Sequence, residues 1–322
     1  MPEFLSIGIP TRNRAGFLRE TLTAFEQQIR RDKIAPEIVR IRISDNCSTD
    51  PTPEVAKEFA ARLPNLTYLR NPENIGGDRN FLRCIKLAEG EYCWVVGDDD
   101  IINPHALEHV LNALHTEKPG LIIALDTNYP AKLKRPARFA SFRDLAAECS
   151  RVNLHLLAEH SLITSNIYRT EVFDTAFSEA MMHTFYAHMY GLVHGLAKRG
   201  GSVYLPDSPI ITVRERRAAA VDGVWPDIIE KAWVDYLTWM KRELDLPEMH
   251  PEQILEYARR VLLRKIMRNP AKYISNNLPF LLQASSYRWF ARRVWFMLRG
   301  MPNGKTNPVG ERFGASPGEE KR

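Results

Sequence analysis

Three consecutive carboxylates, Asp98, Asp99 and Asp100, follow the apolar pair Val95-Val96 and a single glycine, Gly97. Adjacent like charges repel, and the cost falls when they share a divalent cation that takes oxygen ligands. Mg2+ or Mn2+ held in this way keeps positions open for a diphosphate and neutralises it as a leaving group. The competing reading is a polar turn, with Asn103-Pro104 opening the next helix. A second polar segment, Ser44-Asp45-Asn46-Cys47-Ser48-Thr49-Asp50, also follows an apolar run. Its Asp45 suits hydrogen bonds from a base or ribose, while Ser48, Thr49 or Asp50 equally suit helix capping. A third, Asn71 to Asn80, contains Gly76 and Gly77, which let the backbone approach a ligand closely, and Arg79 at a helix start, which suits an anion. It is neither a GxGxxG nor a Walker loop, and a turn capped by Asp78 is its alternative. A fourth is Ile9-Pro10-Thr11-Arg12-Asn13-Arg14.

All four need a scaffold that brings them together, and the apolar pattern supplies one. Phe4 to Ile9, Ile38 to Ile43, Leu66 to Leu69, Tyr92 to Val96 and Leu121 to Leu125 read as strands. Between them, Leu18, Leu22, Phe25 and Ile29 recur at helical spacing. So do Val55, Phe59 and Leu63, then Phe81, Ile85 and Ala88, then Leu107, Val110, Leu111 and Leu114. Alternating strands and helices predict an α/β fold: a mainly parallel mixed sheet with helices on both faces. Ligands of such sheets bind beyond the carboxyl ends of the strands, which is where each polar segment falls.

Residues 126 to 160, with Pro130, Pro136 and the basic Lys132, Lys134 and Arg135, read as an irregular surface connection. Leu162 to Tyr168 is expected to be a strand, about Phe185 to Arg199 a helix, and Ser202 to Leu205 and Ile210 to Val213 strands. From about Pro226 the pattern is helical, first through Ile228, Trp233, Tyr236, Leu237 and Met240, then through Ile254, Tyr257, Val261, Leu262 and Ile266. The last twenty residues, rich in Gly, Pro and charge, are expected to be disordered. No internal repeat is present.

With 322 residues, 44% hydrophobic and 26% charged, the chain can bury a full-sized core. The opening Met1-Pro2-Glu3 lacks the basic start and apolar stretch of a signal peptide, and no apolar run approaches the roughly 18 residues of a membrane span. Cys47, Cys84, Cys93 and Cys149 are scattered, as expected of reduced thiols. A cytoplasmic location follows as the expectation. The net charge of +5 is concentrated in the last third, where Tyr287 to Arg299 interleaves aromatics with arginines. On a helix this is a membrane-surface pattern, consistent with peripheral association at the inner face of the cell membrane. A helix docked with its arginines in solvent gives the same pattern. Base stacking also fits the composition, but the acidic crevice argues against nucleic acid as a partner.

In the order "SIGIPTRNRAGFLRETL", "IRISDNCSTD", "NPENIGGDRNF" and "GEYCWVVGDDDIINP", these segments resemble the family 2 glycosyltransferases, which have the nucleotide-diphospho-sugar transferase (GT-A) fold. The similarity runs from about residue 4 to 215, strongest to 125, and within the family it is greatest to transferases of bacterial surface-polysaccharide clusters. It implies a catalytic domain over 1–215, with a donor half over 1–125 and an acceptor half over 126–215. A helical, basic extension over 216–300 and the tail over 301–322 follow. The resemblance also implies a UDP-, dTDP- or GDP-sugar donor, Mn2+ or Mg2+, and a saccharide or lipid-linked saccharide acceptor in O-antigen or capsule synthesis.

Residue by residue, Pro10, Thr11 and Asn13 match the first nucleotide-contacting loop, Asp45 the acid on the base or ribose, and Asn74, Gly76 and Arg79 the following loop. The acidic triplet matches the metal-binding DxD. Read directly, the motif is Asp98-x-Asp100; counted back from Pro104, the first position falls on Gly97 and the metal ligand becomes Asp99. Asp98 is also placed beside the nucleotide-sugar. Inverting members carry a catalytic Asp in a Glu-Asp pair on a late helix, and here that pair falls on His188-Met189. His188 is the natural substitute base. Ser165 and Asn166 match the acceptor-side strand and loop, with a plain buried strand as the alternative. Arg214, counted with these acceptor residues, begins a basic loop with Arg216 and Arg217 suited to closing over the diphosphate, with solvated surface charge as its alternative. Two rivals remain. A sugar-phosphate nucleotidyltransferase would carry a glycine-rich basic loop after the first strand, which "PTRNRAGF" lacks; a non-catalytic nucleotide-sugar-binding protein would keep the donor site without the base.

Overall fold

Along β1 (Leu5–Thr11), Leu5, Ile7 and Ile9 leave on one face, where they join Val39, Ile41 and Ile43 of β2 (Val39–Asp45) and Tyr92 and Trp94 of β4 (Tyr92–Val95). Alternate side chains of a strand point to opposite faces, so each strand feeds two cores. Onto this first core pack α1 (Ala15–Arg31), α2 (Thr52–Arg62) and α4 (Ala106–Glu117) through Leu18, Phe25, Phe59 and Leu107. The opposite face carries Cys93 and Val95 with Leu121 and Ile123 of β6 (Leu121–Ile123). It is covered by α3 (Gly77–Lys86), α5 (Phe142–Val152), α7 (Ala187–Arg199) and α8 (Val234–Glu243), with the short α6 (Thr175–Ala180) against α7. This computed structural model describes residues 3–126, 133–152, 154–182, 184, 186–212, 214 and 232–252.

The strands β3 (Leu66–Arg70), β8 (Ala137–Phe139), β9 (Asn166–Arg169) and β10 (Val203–Leu205) complete an eight-stranded sheet in the order β3-β2-β1-β4-β9-β6-β10-β8. The block β3-β2-β1-β4 is parallel, as expected. β9 runs antiparallel to both of its neighbours, and β10 is parallel to β6 but antiparallel to β8. A small second sheet joins β5 (Ile101–Ile102), β11 (Pro209–Thr212) and β7 (Leu125–Asp126). The expected mixed, mainly parallel sheet with helices on both faces is present.

Two local expectations fail. The connection over 126–160 is not irregular throughout: it contains β8 and α5, then a 3-10 segment over Leu154–Ser161. Phe142, Leu145, Ala146 and Cys149, at helical spacing, are the buried face of α5. The strand expected from Leu162 starts only at Asn166, because Ile163–Ser165 forms a 3-10 turn in which the Ser165 N–H and hydroxyl both donate to the Leu162 carbonyl. Farther on, α7 lies directly against the turn over Thr170–Val172, and Gly195 makes this approach possible. A Cβ at Gly195 would stand 1.6 Å from the Val172 carbonyl oxygen. Beyond α7, α8 buries Tyr236, Leu237 and Met240 in the same cluster as Leu192 and Leu196 of α7. The helical pattern expected from Ile254 to Ile266, the basic aromatic stretch over 287–299 and the tail over 301–322 lie outside the described residues. Among the described residues, no helix is long and apolar enough to cross a membrane.

Candidate functional site

The register of the sheet decides what meets at its edge. Thr11 at the end of β1 pairs with Asp45 at the end of β2, and β4 lies on the other side of β1 with Val95 opposite Gly8. The chain leaving β4 therefore carries Asp98 alongside Thr11, whose hydroxyl donates to Asp98 Oδ2 at 2.7 Å. One nitrogen of Arg14 reaches Asp98 Oδ1 and Asp99 Oδ2, both at 2.8 Å. Asp98 is only 4% exposed, and burial pushes its carboxyl up in pKa against the opposing pull of Thr11 and Arg14. Thr21 of α1 donates to the Asp98 carbonyl at 3.1 Å, and Arg214 Nε donates to the Asp99 carbonyl at 2.8 Å. Arg214 also pairs with Glu20. Thr164 donates to Asp100 Oδ2 and accepts from the Gly97 N–H at 2.8 Å. A Cβ on Gly97 would stand 3.0 Å from Asp100 Oδ2 and 3.3 Å from Asp99 Oδ1. Glycine keeps that space open.

The loops beside this cluster are held by hydrogen bonds between them. Asn13, in the left-handed region at φ 53°, donates its N–H to Ser48 Oγ and accepts from the Thr49 N–H. Asp45 is wholly buried: Oδ1 accepts from the N–H and hydroxyl of Ser48, and Oδ2 accepts from the Tyr68 hydroxyl at 2.7 Å. Burial and Asp45 raise the pKa of the Tyr68 phenol, so it remains a donor. Asn46 donates to the Asn74 side chain and the Gly76 carbonyl and accepts from the Ile75 N–H. Asn71 and Asn80 continue the network to Ser44. Gly76, at φ 87°, provides the bend that starts α3. Pro10 lies at the partly exposed end of β1, and the Arg79 side chain is exposed on the first turn of α3.

On the acceptor side the proposed residues are buried. Ser165 donates to the Leu162 carbonyl, and Asn166 donates to the carbonyls of His160 and Leu162. Asn166 Oδ1 accepts from His160 Nδ1 at 2.7 Å, leaving His160 Nε2 to accept from the Tyr236 hydroxyl at 3.2 Å. His188, at the first turn of α7, is partly buried with Nε2 3.3 Å from the Ser161 carbonyl and Phe81 edge-on at 5.3 Å. Donation from Nε2 leaves Nδ1 as the nitrogen able to take a proton. Burial lowers the pKa of His188 to about 4, so the ring is neutral at pH 7 and a weak base.

Residues 6–148 match the family described as glycosyl transferase family 2. Over that segment the chain is similar to the family 2 glycosyltransferases. Over 104 residues it is 40% identical to the abequosyltransferase RfbV of Salmonella typhimurium, a match covering 32% of this chain and 30% of that protein. Over 172 residues it is 27% identical to the poly(ribitol-phosphate) beta-N-acetylglucosaminyltransferase TarS of Staphylococcus aureus, covering 51% of this chain and 27% of TarS. The chain thus matches under a third of the length of each of these relatives. A structure of TarS residues 1–349 with UDP-GlcNAc superposes with a TM-score of 0.54 at 17% identity, covering 93% of this chain and 82% of that one. The mannosyltransferase PcManGT of Pyrobaculum calidifontis, solved with GDP-Man and Mn2+, gives 0.52 at 17% identity, covering 93% and 86%. These superpositions show a shared fold, that of the GT-A transferases.

At the strand edge, the donor atoms suit a hard divalent cation. Asp98 Oδ1 and Asp99 Oδ2 are close enough to share one guanidinium nitrogen, and Gly97 leaves room beside Asp99 and Asp100. Among the described residues, no three His, Cys, Asp or Glu side chains form a metal cage by themselves. Of the residues proposed from sequence, the edge brings together Thr11, Asn13, Asp45, Asn74, Gly76, Asp98, Asp99 and Asp100. It draws Arg214 to the Asp99 side and leaves Ser165 and Asn166 in the layer behind. Sequence reasoning missed Arg14, Thr164, Tyr68 and the asparagines 46, 71 and 80. Arg14 stands inside a quoted motif; what no local pattern discloses is that its partner Asp98 lies 84 residues away.

Proposed function

We propose that this protein transfers a sugar from a nucleotide-diphospho-sugar to an acceptor hydroxyl in bacterial surface-polysaccharide synthesis. The observation that carries the reading is the convergence of Thr11, Arg14 and the three carboxylates at the carboxyl edge of a family 2 domain. Mn2+ or Mg2+ would be held by Asp99 with Asp98 or Asp100 and, when bound, would neutralise the departing diphosphate. The structural neighbours solved with UDP-GlcNAc and with GDP-Man and Mn2+ support that assignment.

The chain's own residues account for the rest. The Asn46–Asn71–Asn80 network fixes the backbone of the 74–76 loop, and Tyr68 with Asp45 builds the wall on which a base can rest. The segment from Ser161 to Thr164 touches His188 at one end and Asp100 at the other, so a proton accepted at His188 Nδ1 would sit one short turn from the diphosphate end. A single displacement with inversion is the reaction this layout serves.

A second reading, donor binding without turnover, is favoured by one observation: the weak basicity of His188. Thermal unfolding with UDP-, GDP-, dTDP- and CMP-sugars, with and without Mn2+, tests both. A metal-dependent rise in Tm with one nucleotide class is expected. No rise with any of them overturns the donor site. A rise without turnover on saccharide or lipid-linked acceptors selects the second reading. The contact of the 287–299 stretch with a membrane surface remains part of the proposal for a lipid-linked acceptor.

A further inference from the structure

A cavity of about 440 Å3 opens on the outer side of α3, away from the acid cluster. Arg79, Arg83 and Lys86 line it at intervals of four and three residues, so they form one stripe along the helix. Glu179 and Met182 close the opposite side, and Ile75 and Leu82 form its apolar wall. Three cations face one carboxylate, and that carboxylate is engaged by Lys86. The lining therefore carries an excess of two positive charges. Arg83 stands out among them: its Nε is buried and has no hydrogen-bond partner among the described residues. With that nitrogen enclosed and unpaired, the guanidinium charge is poorly compensated by the protein, and an anion in the cavity offsets it through the rest of the fork.

The position of the cavity narrows the ligand. Ile75 and Arg79 belong to the loop and first turn beside the proposed donor site. Met182 lies six residues before His188, and Phe81, on the same helix as Arg83, packs edge-on against the His188 ring. The cavity is thus a neighbour of both the donor loop and the candidate base. We propose that it binds a phosphate or diphosphate group carried by the acceptor, with Arg83 and Lys86 as the principal contacts. This placement rests on the glycosyltransferase reading; the anion site itself does not. A diphosphate bears the charge to offset the cationic excess, and its oxygens match the fork of Arg83. The apolar wall of Ile75, Leu82 and Met182 suits the first carbons of a lipid carrier, while a soluble sugar phosphate would use the cations alone.

Titration calorimetry with inorganic diphosphate in EDTA, which silences a metal-dependent donor site, tests the proposal. Wild type is expected to bind, and Arg83→Gln to bind at least about tenfold more weakly. Lys86→Gln is expected to weaken it by a smaller factor, with Tm values confirming that both variants fold. Equal affinity in wild type and Arg83→Gln, or no binding to wild type, overturns the site. The Mn2+-dependent nucleotide-sugar shift, measured on Arg83→Gln, should persist. If that shift is absent from wild type while diphosphate binding still depends on Arg83, the transferase reading fails and the anion site stands. Geranyl diphosphate and glucose 1-phosphate distinguish the sources. Tighter binding of the prenyl compound than of inorganic diphosphate assigns the site to a lipid-linked acceptor; equal or weaker binding assigns it to a soluble phosphorylated saccharide.

Discussion

Two polar regions lie back to back in this molecule and are built on opposite principles. At the strand edge, three carboxylates are crowded together and held by guanidinium groups and hydroxyls, with Asp99 and Arg14 reachable from solvent. Behind it, Ser165, Asn166, His160 and Tyr236 form a buried network of neutral groups in which the donors and acceptors answer one another. The edge concentrates like charge and so stays receptive to a cation; the inner network is already satisfied and so stabilises the fold. Polar residues in a sequence do not announce which of these they serve.

The sharpest way to break the comparison is at Asp99. Asp99→Ala should lower turnover by about 10³-fold and abolish the metal-dependent rise in Tm with donor, while leaving the metal-free Tm nearly unchanged. A variant that retained the metal-dependent shift would move the site off this carboxylate. Asn166→Ala should do the reverse, costing about 2–4 kcal/mol in urea unfolding because the His160 ring and the His160 carbonyl lose their partner while the Leu162 carbonyl keeps Ser165, with donor binding preserved. Lost donor binding in a folded Asn166→Ala protein would place that residue in the site after all.

The inner network also has a pH signature. Burial lowers the pKa of His160 to about 4, against an ordinary value near 6.5, so the unfolded chain binds the proton more tightly. Its contribution is fully present above pH 6.5 and is lost as the pH falls toward 4, by roughly 3 kcal/mol. His188 adds in the same direction. Urea midpoints from pH 7 to 4.5 should fall more steeply for wild type than for His160→Gln; identical slopes would mean that His160 titrates normally. The smallest effect is expected at Arg14. Removing the cation that bridges Asp98 and Asp99 should tighten nucleotide-free Mn2+ binding about threefold to tenfold, as read by electron paramagnetic resonance. Weaker binding in Arg14→Gln would show that Arg14 shapes the cluster rather than competing for it.

The strand edge was legible because its signals are local: an apolar alternation such as Leu5, Ile7, Ile9, then a polar segment, four times over. Parallel order followed from the intervening helices, and the convergence of four loops followed from that order. The inner layer was not legible for the same physical reason in reverse. Thr164 meets Asp100 across 64 residues and His160 meets Tyr236 across 76, and neither pairing leaves a periodic trace. Phe142, Leu145, Ala146 and Cys149 did carry the helical period of α5, but the proline and lysine residues before them suggested a loop.

The packing of α8 has a practical consequence. Cutting the chain near residue 215, the domain boundary expected from the sequence, would remove Tyr236 from His160 and strip Trp233, Leu237 and Met240 from the face formed by α5 and α7. Such a fragment would keep every carboxylate of the edge and still lose the support behind it. A shortened version for crystallisation or assay should therefore retain at least residues 232–252, and its solubility would report on the inner layer rather than on catalysis.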